Sequence, residues 1–146
     1  GDINFSGFYT EGSWLDGERD KYHIVDFSNQ TSTLLCERAD PPSDLKSGPF
    51  NFRHSGVAFG CEILRQKKPD KKTVVVIDEI GPLELRDEGW GKCIGELLAA
   101  KQMMIWTVRP SLLDAVLAKW GVRISLLEAK ESRVSDLQKI LRQMVN

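Results

Sequence analysis

The sequence predicts an α/β domain on a mainly parallel sheet, and three features carry that expectation. Residues 73–77 are an unbroken β-branched run, Thr-Val-Val-Val-Ile, the mark of a strand buried on both faces. Beyond a loop rich in Pro, Ser, Asp and Gly, strand-like and helix-like patterns alternate three times. Ahead of that loop, strand patterns flank a tight turn, so an antiparallel hairpin is expected near the N-terminus.

Taken in order, residues 3–10 are rich in aromatic and β-branched side chains and read as a strand. Leu15-Asp16-Gly17-Glu18 is a turn signal, and residues 21–27 alternate as a second strand that residues 31–36 extend into a meander. Residues 39–49 read as an exposed loop. Val57, Phe59, Ile63 and Leu64 suit a helix over 55–65, ended by the basic run before Pro69. After the 73–77 strand come a helix over 88–100 and an apolar strand over 103–108. Pro110 fits the first turn of the next helix, with Leu113, Val116, Leu117 and Trp120 on one face and Gly121 as its stop. A short strand over 122–126 and a helix over 132–145 complete the pattern.

Composition narrows the function classes. Twenty Lys and Arg against 21 Asp and Glu leave a net charge of -1, so no global field draws the chain to nucleic acid or anionic lipid. The basic cluster from Arg65 to Lys72 is offset by nearby acids and reads as a solvated helix end. No window approaches the roughly 18 apolar residues of a membrane span, and residues 1–5 lack the basic and apolar regions of a signal peptide. Cys36, Cys61 and Cys93 are widely spaced with no CxxC, and His23 and His54 have no second ligand at helix or hairpin spacing. A reduced, cytoplasmic protein is expected, with Trp90, Trp106 and Trp120 in core or interface positions.

Each expected strand ends on polar or charged residues: Thr10-Glu11, Asp78-Glu79 and Arg109. In open α/β sheets ligands bind beyond the carboxyl ends of the strands, so parallel strands would gather these groups at one edge. Val74-Val75-Val76-Ile77-Asp78-Glu79, four apolar residues then two acids, has the pattern of a Walker B strand. Phosphoryl transfer needs that order, with the first carboxylate held beside magnesium and the second placed to orient and deprotonate water. The plainer reading is a parallel strand that meets solvent and ends in acids there.

Asp78-Glu79-Ile80-Gly81-Pro82-Leu83-Glu84-Leu85 resembles the segment that carries Walker B in the small nucleoside-triphosphatase family first described from thermophiles. Gly7-Phe8-Tyr9-Thr10-Glu11 is similar to that family's second strand, Thr107-Val108-Arg109-Pro110 to its strand-end arginine, and Glu131-Ser132-Arg133 to a late E-N-R element. The resemblance implies a three-layer α/β domain of P-loop NTPase type, mainly parallel, with the N-terminal antiparallel hairpin. It departs in one place: the family's first strand and its Gly-x-x-x-x-Gly-Lys-Ser/Thr phosphate loop precede GFYTE, which begins here at Gly7. Gly89-Trp90-Gly91-Lys92-Cys93 is no substitute, since Arg86 stands where the first glycine belongs and Cys93 replaces the hydroxyl. Residues 1–146 therefore read as one α/β domain, the C-terminal portion of a P-loop NTPase-like protein, with the loop either cut away or lost naturally.

By resemblance the intact protein hydrolyses ATP or GTP with Mg2+, Asp78 as metal ligand, Glu79 and Arg109 as catalytic residues, and Glu11 binding the cofactor. Glu84 matches a family position or caps the helix that follows. A non-catalytic interaction module on the same fold is the alternative. The nucleoside triphosphate is the expected partner, with neither nucleic acid nor membrane, and a homo-oligomer through an exposed sheet edge is expected. Without the loop's amides and lysine, residues 1–146 alone are expected to bind magnesium nucleotide weakly or not at all.

Overall fold

A computed structural model describes residues 3–39, 41–68, 72–121, 124, 126 and 134–145. Among the described residues seven strands form one sheet: β1 (Asn4–Leu15), β2 (Glu18–Asp26), β3 (Ser32–Glu37), β4 (Lys46–Ser47), β5 (Phe50–Phe52), β6 (Thr73–Ile80) and β7 (Met104–Val108). Their order is β4-β5-β3-β2-β1-β6-β7. The helices are α1 (His54–Arg65), α2 (Pro82–Leu85), α3 (Gly91–Ala99), α4 (Leu113–Trp120) and α5 (Val134–Val145).

The α/β character holds, but the expectation of a mainly parallel sheet is wrong. Only β1–β6 and β6–β7 pair in parallel, whereas β1–β2, β2–β3, β3–β5 and β4–β5 are antiparallel. Connection length is the reason. A parallel return needs a crossover of about a dozen residues or more, and the segments joining the strands from β1 to β5 are too short for one. Helical crossovers begin only with α1 and α3, which lead into β6 and β7. The expected loop over 39–49 also contains β4, whose two residues pair with the unanticipated β5.

β1 runs farther than its sequence pattern indicates. From Asn4 to Phe8 it pairs with β6, from Phe8 it pairs with β2 as far as Leu15 opposite Glu18, and past Lys21, where the β2–β3 pairing stops, the two strands run on as a ribbon. Asp16 and Gly17 turn the ribbon with φ of 50° and 80°, the left-handed pair that a two-residue hairpin loop demands. Gly7 makes the β1–β6 junction possible. Its φ is 99°, and a Cβ there would stand 2.1 Å from the Val76 carbonyl oxygen.

The core lies between this sheet and α1 and α3. α1 packs on β1, β2, β3 and α3, and Phe8 meets the buried Trp90 with ring centroids 4.5 Å apart. Trp106 and Trp120, both half-buried, meet edge-on at 5.5 Å and help bring α4 to the core through the buried Val116. A 3-10 turn over Pro110–Leu112 leads into α4, and Gly121 ends it with φ 57° and its N–H on the Leu117 carbonyl. At the end of α1 the Lys68 ammonium donates to the carbonyls of Leu64 and Gln66, the helix-end role expected of the basic cluster. The strand expected over 122–126 and the Glu131-Ser132-Arg133 element lie largely or wholly outside the described residues.

Candidate functional site

β6 and β7 end side by side next to the middle of β1, and β6 is irregular there. Ile77 faces Trp106 and Ile80 faces Val108, so Asp78 and Glu79 together oppose the single residue Thr107. This is a β-bulge, a device that re-aims side chains at a strand end. Glu79 takes the extra turn with φ 57°, a left-handed conformation uncommon outside glycine.

Three donors hold the Asp78 carboxylate. The Thr10 N–H and hydroxyl donate to Oδ2 at 2.8 and 3.1 Å, and the Thr107 hydroxyl donates to Oδ1. The same Thr107 oxygen accepts the Glu79 N–H at 2.7 Å. One hydroxyl therefore anchors both acids, and Thr10 ties them to β1. The sequence offered Thr10 only as one of the polar groups at a strand end and gave Thr107 no role of its own; the available signal was their place beside Glu11 and two residues before Arg109.

Glu79 is exposed, yet its carboxyl is held above the usual carboxylate range, first by loss of hydrating water and then by the Asp78 charge. Arg109 and Arg19 oppose that shift, so both guanidinium groups act on Glu79. Arg109 is exposed and extended, φ -62° and ψ 140°, as a residue before proline is. Arg19 was missed by sequence reasoning. It lies over the Trp14 ring at 4.3 Å and within 5.5 Å of the Tyr22 ring centroid. The two-residue turn at Asp16-Gly17 already sets Trp14 opposite Arg19, which is how it could have been found.

Glu11 does not join this group. It neighbours Thr10 on a strand whose side chains alternate faces, it pairs in register with His23, and no hydrogen bond or ion pair links it to Asp78 or Glu79 among the described residues. Glu84 is buried and works inside the fold. Its carboxylate accepts the Gly81 N–H at 2.9 Å and the Trp90 N–H at 3.3 Å, closing the start of α2 and bracing the residue before α3. Burial raises its pKa to about 7 against the lowering effect of those two bonds.

No three His, Cys, Asp or Glu side chains converge among the described residues. Magnesium does not require such a cage, because it is commonly held by one or two carboxylates completed by water and substrate phosphates. The Asp78 carboxylate, with one oxygen taking a single donor, has hard-oxygen capacity of that kind and fits the ion.

At the end of β6 the acid pair thus lies within electrostatic reach of Arg109 and Arg19. Residues 1–141 match the NTPase family model (NTPase_1), and the chain belongs to that family. It is 26% identical over 109 residues to the Nucleoside-triphosphatase THEP1 of Thermotoga sp. (strain RQ2), a match covering 74% of this chain and 61% of that protein. The chain thus spans about three-fifths of that relative's length. In fold it is similar to the solution structure of a human cancer-related nucleoside triphosphatase, with TM-score 0.64 and 23% identity over 96% of this chain and 81% of the other. Among the described residues no helix is long and apolar enough to cross a membrane.

Proposed function

We propose that the chain belongs to a Mg2+-dependent nucleoside triphosphatase of the kind first described from thermophiles, hydrolysing ATP or GTP. The bulge that sets Asp78 and Glu79 side by side against Thr107 is the observation that carries this reading. Magnesium, held by Asp78, would neutralise phosphate charge. Glu79, above the usual carboxylate range and open to solvent, orients a water and takes its proton. Arg109 is within electrostatic reach of Glu79 and offsets negative charge on the transferred phosphoryl group. Glu11, away from the acid pair, has at most a peripheral part in holding the magnesium nucleotide.

The test is Glu79→Gln in the longer protein that supplies a phosphate loop. Turnover, measured as phosphate release, should fall by about 10²-fold or more, while nucleotide affinity stays within a few-fold because binding rests on the loop. Loss of binding together with turnover would make Glu79 a structural residue.

A further inference from the structure

Away from the acid edge, α1 and α3 face each other as a ladder of three rungs. At one end the Trp90 indole N–H donates to the Val57 carbonyl at 3.2 Å. At the other the Arg65 guanidinium grips the Glu96 carboxylate through two bonds of 3.1 Å each. Val57, Cys61 and Arg65 are four residues apart on α1, and Trp90 at the N-cap of α3 is followed at three-residue steps by Cys93 and Glu96, so each set shares one helix face. Cys61 on α1 and Cys93 on α3 stand between those two contacts, so the bonded pairs on either side bring the two thiols to one level of the helix pair.

Gly60 lets the helices come this close. A Cβ at that position would lie 2.4 Å from the Trp90 indole nitrogen, so any larger residue would separate α1 from α3. The pair is also reachable. Cys61 is half-buried and, with Ala58, Glu62, Arg65 and Gln66, lines a surface depression of about 590 Å³, whereas Cys93 is buried behind it.

We propose that Cys61 and Cys93 are a modification site, a dithiol that a peroxide converts to a disulfide joining α1 to α3 and that a thiol reductant reopens. The chemistry balances with hydrogen peroxide as oxidant. The pair gives one proton to solvent, and the proton that remains rests on Cys93 when Cys61 reacts. The Cys61 thiolate attacks one peroxide oxygen and becomes a sulfenic acid, and the hydroxide released takes up the solvent proton as water. The Cys93 sulfur then displaces the hydroxyl from Cys61, and its proton leaves with that group as a second water. Two thiols lose two electrons to one peroxide, giving one disulfide and two waters.

The pair gives up its first proton from Cys93. The adjoining Cys61 thiol foremost, and then the Arg65 charge, hold Cys93 below the usual thiol range against the effect of burial, while Cys93 and then burial push Cys61 up. Cys36 is different. It is buried on β3 and stands outside the ladder of α1 and α3.

The experiment exposes the native chain to graded hydrogen peroxide with free cysteine as internal standard, then denatures, alkylates and maps it by mass spectrometry. The expected product is a monomer two hydrogens lighter, with one of its three thiols (Cys36) still alkylatable and a peptide joining Cys61 to Cys93. Dithiothreitol should restore all three thiols. In Cys93→Ser the oxidation should stop at a Cys61 sulfenic acid that dimedone traps. The crosslink map on the unaltered chain needs no variant to fold. Three free thiols at doses that consume the standard would overturn the assignment, as would a crosslink to Cys36 or one found only between chains.

Discussion

Thr107 holds both acids of the β6 end through one hydroxyl, donating to Asp78 and accepting from the Glu79 N–H. Replacing it with valine keeps the shape and removes the bonds. Thr107→Val should cost about 1–2 kcal/mol, the range for losing hydrogen bonds to a charged group and an amide at a partly solvated site. It should also free the Glu79 amide. Hydrogen exchange at Glu79 would speed up while the amide of Thr10, which bonds Asp78 directly, keeps its protection. Unchanged exchange at Glu79 would show that the backbone alone holds the bulge.

The β1–β6 pair is the element that joins the antiparallel meander to the parallel strand ends, and its tightest point is Gly7 opposite Val76. Gly7→Ala brings a methyl against a backbone carbonyl at a left-handed φ, and neither partner can rotate away. A loss of about 2–4 kcal/mol is expected, read as a lower urea midpoint; a loss under about 0.5 kcal/mol would mean the strands slide apart at little cost. Much at this scale was legible in the sequence. The β-branched run of 73–77, the Asp16-Gly17 turn and the Pro110 to Gly121 helix carry their signals locally. Sheet direction was not legible in the same way, because β4 and β5 are two and three residues long and leave no period to read. Nor was the separation of Glu11 from the acids, since the bulge at Asp78 and Glu79 and the reach of Thr10 are set by pairing between strands distant in sequence.

Across the whole molecule, stability should depend on pH through Glu84. Its pKa rises from 4.5 unfolded to about 7 folded, so the native state binds the proton more tightly. That contribution is complete below pH 4.5, declines as pH rises and is gone above about 7. The span is worth about 3 kcal/mol. Glu84→Gln should flatten this part of the pH–stability curve in urea titrations, and an unaltered slope would assign the dependence to another group. The turn at Glu79 touches global stability from another side. A glutamate at φ 57° is strained, at about 1–3 kcal/mol for such a residue, and glycine would relieve most of it, less its own entropy in the unfolded chain. Glu79→Gly should therefore melt higher, by about 2–4 °C for each kcal/mol recovered, while losing the carboxylate that the proposed chemistry uses. In calorimetry a lower melting point would show that the carboxylate's own contacts hold the turn. The expected rise would mean that this protein accepts a looser fold in exchange for an acid where a glycine fits best.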